Sequence, residues 1–186
     1  MNEPAQRLFF ALWPEAGQLE PLVERLRQLA PPGVGKPQRP DQLHVTIEFL
    51  GSVPGSRIGE CRAAGAAAAA GASPFEIVFD QLDHWRRPQV LCLTARETPE
   101  ALAQLSQSLR RELAARDFEV ERREFRAHLT LARKVARPPR APEFEPVRWP
   151  ARRLTLVRSV SDSSGSRYEP LARWNVRRAP SDAPGG

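Results

Sequence analysis

Three histidines occur in the chain, and two of them open the same phrase, His-apolar-Thr-apolar, in LHVTIEFLG at 43–51 and again in AHLTLAR at 127–133. Imidazole exchanges a proton near neutral pH, and the threonine hydroxyl is a hydrogen-bond donor. Side chains alternate faces along a strand, so His44, Thr46 and Glu48 are expected on one side of the first copy, with Val45, Ile47 and Phe49 on the other. In the second copy His128 and Thr130 share a face opposite Leu129 and Leu131. Each copy thus offers an apolar face to a core and a polar face carrying imidazole and hydroxyl. Two such faces across one cleft suit metal-independent hydrolysis of a phosphodiester: one histidine deprotonates water while the other protonates the departing oxygen. Hydroxyls, with arginine, would donate to the nonbridging oxygens where charge builds up. Neither copy has the His/Asp/Glu clustering of a hydrolytic metal site, so no metal or cofactor is expected. A third phrase, RRLTLVR at 152–158, repeats LTL with Arg153 where His would stand. Arginine cannot exchange a proton near neutral pH, so this copy cannot perform the same chemistry.

Positioning the two phrases requires elements that recur. RLFFALWP (7–14) has the apolar density of a buried strand ended by Pro14, and Leu19, Leu22, Val23, Leu26 and Leu29 follow at helical spacing. PPGVGKPQRPDQ (31–42) is a turn-rich connector into the first His strand. The alanine-rich stretch 55–72 favours helix by propensity but has few large side chains, and is expected as a thin outer helix. FEIVFDQLDHW (75–85) and QVLCLTA (89–95) are expected as two strands, and Leu102, Leu105, Leu109 and Leu113 form a second helical stripe before AHLTLAR. Both halves therefore run strand, helix, His strand, with Leu8 preceding His44 by 36 positions and Leu91 preceding His128 by 37. An internal duplication into two pseudo-symmetric lobes follows. The segments 149–162 and 167–178 are expected as a closing pair of strands around SDSSGS. Residues 1–178 then form one bilobal domain, and 179–186 a disordered tail.

Composition sets broader limits. At 186 residues the chain can bury a core without staples. Cys61 and Cys92 lie in unlike contexts with no CxxC, which signals neither a disulfide framework nor a zinc site and fits a reducing cytoplasm. No stretch approaches the roughly 18 apolar residues of a membrane helix, and the opening MNEPAQRLFF has no secretory pattern. The net charge of +6 is carried by twenty-six Arg and two Lys. Guanidinium donates in a fork that matches phosphate, so an anionic partner such as RNA is indicated. Phe9 or Phe10 and Trp85 are candidates to stack on a base, and Arg39 to meet a phosphate. His84 has no partner motif and is expected at a surface or turn.

HVTIEFLG and HLTLAR resemble the paired signature of the two-histidine (2H) phosphoesterases, and the chain resembles their RNA 2′,3′-cyclic phosphodiesterase (2′-5′ RNA ligase) branch from RLFFALWP through RPDQLHVTIEFLG and FRAHLTLAR to YEPLARW. Ile47 stands where Leu is more usual, and Ala127 where this branch commonly has Pro. The resemblance implies an α+β, bilobal fold with two antiparallel sheets lining a central cleft and helices outside. It implies a monomer that opens a terminal RNA 2′,3′-cyclic phosphate to a 2′-phosphate, with a reverse joining of RNA ends through a 2′-5′ linkage. It assigns His44 as general acid and His128 as general base, and gives phosphate binding to Thr46, Thr130 and Arg133. Tyr168, in the closing strand, would flank the cleft. Strict alternation would turn Arg133 away, so the strand must end or bulge there. Two rival readings remain: the same machinery acting on small cyclic nucleotides or 2′-5′ oligoadenylate, and a non-catalytic RNA-binding module.

Overall fold

Residues 8–12 are apolar throughout and leave no face for water, which makes β1 (Gln6–Leu12) a central strand, buried from Leu8 to Leu12. In the computed structural model, which describes residues 4–140, 143–162 and 165–176, it is followed by α1 (Ala16–Leu29). The Gln18 side chain accepts the Glu15 N–H at the start of α1, and Leu22, Leu26 and Leu29 are buried from it. The connector contributes the two-residue β2 (Lys36–Pro37) and leads into β3 (Val45–Val53). Then come α2 (Ile58–Ala70), β4 (Phe75–Phe79), β5 (Gln81–Trp85), β6 (Val90–Thr94), α3 (Glu100–Ala114) and β7 (His128–Arg133). β8 (Val147–Ala151), β9 (Arg153–Asp162) and β10 (Gly165–Asn175) complete the order.

The strands form two four-stranded sheets, β10-β9-β1-β3 and β2-β7-β6-β5, and a separate ribbon of β4 with β8, antiparallel wherever they pair. The ribbon corrects two expectations. Residues 75–85 break at Asp80 and residues 149–162 at Arg152, and in each case the chain leaves the ribbon for one of the large sheets. The breaks fall where strands turn a corner, which alternation of apolar residues cannot mark. The turn residues Ser163 and Ser164, the end of the closing segment at 177–178 and the expected tail at 179–186 lie outside the described residues.

The duplication is visible as β9-β1-β3 matched by β5-β6-β7. Its register differs from the sequence expectation: Phe10 opposes Glu48 and Leu91 opposes Ala132, so Phe10, not Leu8, corresponds to Leu91. The alanine-rich α2 is not a thin outer layer. It buries Cys61, Ala64, Gly65, Ala68 and Ala69, and a Cβ on Gly65 would come within 2.6 Å of the Trp174 ring and 2.8 Å of Phe10. Small side chains here serve close approach to the first sheet.

Each connector reaches the opposite lobe. The one before His44 pairs with β7, and the Gln38 N–H donates to the Leu131 carbonyl at 2.8 Å. Gly35, at φ +60°, passes so near the Arg133 carbonyl that a Cβ would sit 2.5 Å from it. From the other side, the Glu121 N–H donates to Glu48 Oε1 at 2.7 Å, and Arg110 Nε of α3 donates to Glu48 Oε2 at 2.7 Å. Glu48 is only 2% exposed, so it belongs to the lobe junction and not to the cleft face expected for it. Removing one partner of a buried pair leaves the other charge uncompensated, and Glu48→Ala should cost about 3 kcal/mol in urea unfolding. A loss under about 1 kcal/mol would show that water readily replaces the carboxylate at Arg110.

Candidate active site

A bulge directly after the threonine of each motif decides what faces the cleft. Along β3, Ala11 pairs with Thr46 and Phe10 with Glu48, so Ile47 is bulged out of the ladder. Past the bulge the faces exchange: Glu48 turns inward, and Phe49, expected in the core, is 47% exposed. Along β7, Cys92 pairs with Thr130 and Leu91 with Ala132, leaving Leu131 unpaired at the equivalent place. Leu131 and Ala132 are both buried, and Arg133 therefore returns to the side that carries His128 and Thr130. Arg133, His44 and Thr46 line one cavity of about 400 Å³ together with Arg7, Phe49 and Tyr168.

Both imidazoles are held alike. His44 Nδ1 lies 2.6 Å from the Gln42 carbonyl, and His128 Nδ1 lies 3.1 Å from the Arg126 carbonyl. A carbonyl oxygen only accepts, so Nδ1 carries hydrogen in each ring and Nε2 is the position free to exchange a proton. Each ring also lies against a tryptophan. Trp13 stacks on His44 at 4.8 Å and 14°, and Trp85 sits 4.7 Å from His128. Phe9 and Tyr168 close around His44 at 5.2 and 5.3 Å.

This apolar surround decides the proton affinity. Burial pushes His44 down to about 4; the Gln42 bond opposes the shift, and the charges of His128 and Arg133 add to it. His128 is also lowered, chiefly by burial, against the Arg126 carbonyl bond and with help from the charges of Arg133 and Arg126. His44 responds to His128, and both respond to Arg133. The three groups thus share one electrostatic neighbourhood, within the ~10 Å reach of unscreened charge.

The other candidates divide. Phe9 faces the cleft in a small apolar cluster with Ala11 and Val157, whereas Phe10 is wholly buried in the main core. His84 is not a turn residue: it lies partly buried on the edge strand β5, with Nε2 2.7 Å from the Val135 carbonyl. Arg39 donates to Asp41 and to the Ser166 carbonyl. Arg7, Trp13 and Phe49 escaped the sequence reading. Odd-numbered residues of the first strand face the cleft, but this phase becomes visible only once Ala11 is paired with Thr46.

Burial lifts the Cys61 and Cys92 thiols to about 11 and about 12, which keeps both protonated and rules them out as thiolate nucleophiles at neutral pH. Among the described residues no group of three or more His, Cys, Asp or Glu side chains is placed to hold a metal ion. Among them, too, no helix is long and apolar enough to cross a membrane.

A family model described as the 2′-5′ RNA ligase superfamily matches residues 13–163. The chain is 32% identical to the RNA 2′,3′-cyclic phosphodiesterase of Escherichia coli over 94% of this chain and 98% of that one. It is 30% identical to the protein of the same description from Thermus thermophilus, over 92% and 90% of the two chains. Among solved structures, E. coli LigT complexed with phosphate superposes with a TM-score of 0.79 at 29% identity, covering 95% of this chain and all of the other. The chain belongs to the 2′-5′ RNA ligase superfamily, within the two-histidine phosphoesterases.

The lowered histidines set a pH signature. A histidine lowered on folding contributes stability that is intact above its unfolded value near 6.5 and is lost as pH falls through that value toward the folded one. In NMR titration of the free protein both rings should titrate below 6.5, His44 the lower of the two, and saturating inorganic phosphate should raise both. Either ring titrating at or above 6.5 in the free protein would show that water enters the aromatic surround.

Proposed function

We propose that the chain is an RNA 2′,3′-cyclic phosphodiesterase that opens a terminal cyclic phosphate to a 2′-phosphate. Water attacks phosphorus, the bond to the 3′-oxygen breaks, and the 2′-oxygen keeps the phosphate. The supporting observation is the matched pair of imidazoles, each tied through Nδ1 to the carbonyl two residues before it, with Arg133 close to both. His128 Nε2 takes the proton of the attacking water, and His44 Nε2 gives one to the departing 3′-oxygen. Thr46, Thr130 and Arg133 hold the nonbridging oxygens as charge moves onto them. With a 5′-hydroxyl in the place of water, the same attack breaks the bond to the 3′-oxygen and gives a 2′-5′ linkage. Both lobes of the cleft come from one chain, and both cysteines are buried free thiols, which supports a monomer working in the cytoplasm.

The acid role asks something of the substrate. In the free protein burial pushes His44 down to about 4, so its ring is neutral at neutral pH. The bound phosphodiester anion restores proton affinity to His44 by lying near it, and the cavity shared by His44, Thr46 and Arg133 is where it would lie. The resulting rate profile is bell-shaped, with kcat/KM centred below pH 6.5 and kcat displaced upward by the bound anion.

An oxygen that leaves easily needs no proton, whereas water always needs a base. His44→Ala should therefore lose at least ~100-fold on the natural end and recover most of it on an analogue with an acidic 3′-leaving group, while His128→Ala stays slow on both. Recovery of His128→Ala alone would exchange the two roles. Since no metal-binding cluster lies among the described residues, EDTA should leave the rate unchanged; loss restored by a divalent ion would assign a metal to the reaction.

A further inference from the structure

The RRLTLVR phrase has its own place on the cleft face of the first sheet. β3 and β9 flank β1 on either side, both antiparallel to it, so they run in the same direction. Ala11 pairs with Thr46 on one side and with Thr155 on the other, and Thr155 pairs in turn with Arg173 of β10. Paired residues point to the same face, so Thr46, Ala11, Thr155 and Arg173 form one row across the sheet. Leu12 likewise pairs with Val45 and Leu154, which places His44 and Arg153 at matching positions on either side of Trp13. Arg153-x-Thr155 is therefore His44-x-Thr46 moved two strand spacings, about 10 Å, along the same face.

A second cavity of about 640 Å³ opens there, lined by Trp13, Arg153, Thr155, Tyr168 and Arg173, with the carboxylates of Glu15 and Asp41 also on its wall. Tyr168 also lines the cavity of His44, and Trp13 covers His44, so the two aromatic side chains form the shared wall. Arg153 makes only a loose 3.7 Å pair with the partly exposed Glu15, and no ion pair among the described residues engages Arg173. Two cations and a hydroxyl beside two aromatic rings are the groups that hold a phosphate and stack a base. Arginine in the histidine position holds a phosphate without offering a proton.

We propose that this cavity is a second nucleotide subsite, which takes the nucleotide preceding the cyclic end, its phosphate on Arg153, Thr155 and Arg173 and its base against Trp13 and Tyr168. The assignment rests on the RNA-end activity proposed above and adds that the enzyme recognises at least a dinucleotide. The test compares kcat/KM on a dinucleotide ending in 2′,3′-cyclic phosphate with kcat/KM on a mononucleoside 2′,3′-cyclic phosphate. The wild type should prefer the dinucleotide by roughly tenfold or more, and Arg153→Ala/Arg173→Ala should remove most of that preference. A ratio within twofold of wild type would overturn the subsite. So would an equal loss in Arg122→Ala/Arg123→Ala, because that basic pocket lies beside α3 in the other lobe. Fluorescence anisotropy with RNA ending in 3′-phosphate separates the two readings. If the wild type opens no cyclic end, the activity falls, and the subsite still stands or falls on whether the Arg153/Arg173 double variant weakens RNA binding by about tenfold.

Discussion

A strand that obeyed strict alternation could not present both the histidine and the residue five positions later to one cleft. The bulges at Ile47 and Leu131 remove that conflict, each by withdrawing one apolar residue from the ladder. Before the bulge, histidine and threonine face the cleft; after it, Phe49 in one lobe and Arg133 in the other return to the same side. The two copies are thus equivalent in backbone and different in what they deliver. One supplies an aromatic at the rim, and the other a permanent positive charge beside the imidazoles.

The same two bulges join the lobes. Withdrawing Ile47 turns Glu48 inward, where it meets Arg110 and the Glu121 N–H; beside the second bulge, the Leu131 carbonyl accepts from Gln38 on the β2 side of its strand. Each connector is thereby tied to the His strand of the other lobe. The cleft is held from both sides by contacts that cross the duplication. Burial of the Glu48 carboxylate is tolerable only because both its oxygens are engaged.

Aromatic rings supply the remaining condition. Trp13 and Trp85 occupy comparable positions over the two histidines, though they come from different parts of the chain. Excluding water destabilises imidazolium, so both rings rest neutral and wait for an anion to restore their proton affinity. Coupling of proton affinity to anion binding suits chemistry on a phosphate.

Local chemistry made much of this legible. The doubled His-x-Thr phrase, the leucine stripes of α1 and α3 and the recurring strand-helix-strand order are properties of neighbouring residues, and they led to two pseudo-symmetric lobes; the α+β arrangement of sheets and helices followed from the resemblance to the two-histidine phosphoesterases. What lay beyond reach depends on partners distant in the chain. Glu48 and Phe49 exchange faces because of their register with Phe10 and Phe9; the alanines of α2 are buried because Trp174 lies against them; Trp13 covers His44 only once β1 and β3 are paired. Arg153 illustrates the division: by sequence it is a failed copy of the motif, and tertiary pairing through β1 sets it on the same sheet face as His44, with Trp13 between them. Periodicity fixes which residues alternate, but only the ladder fixes where alternation is interrupted, because a bulge is set by the two strands it joins.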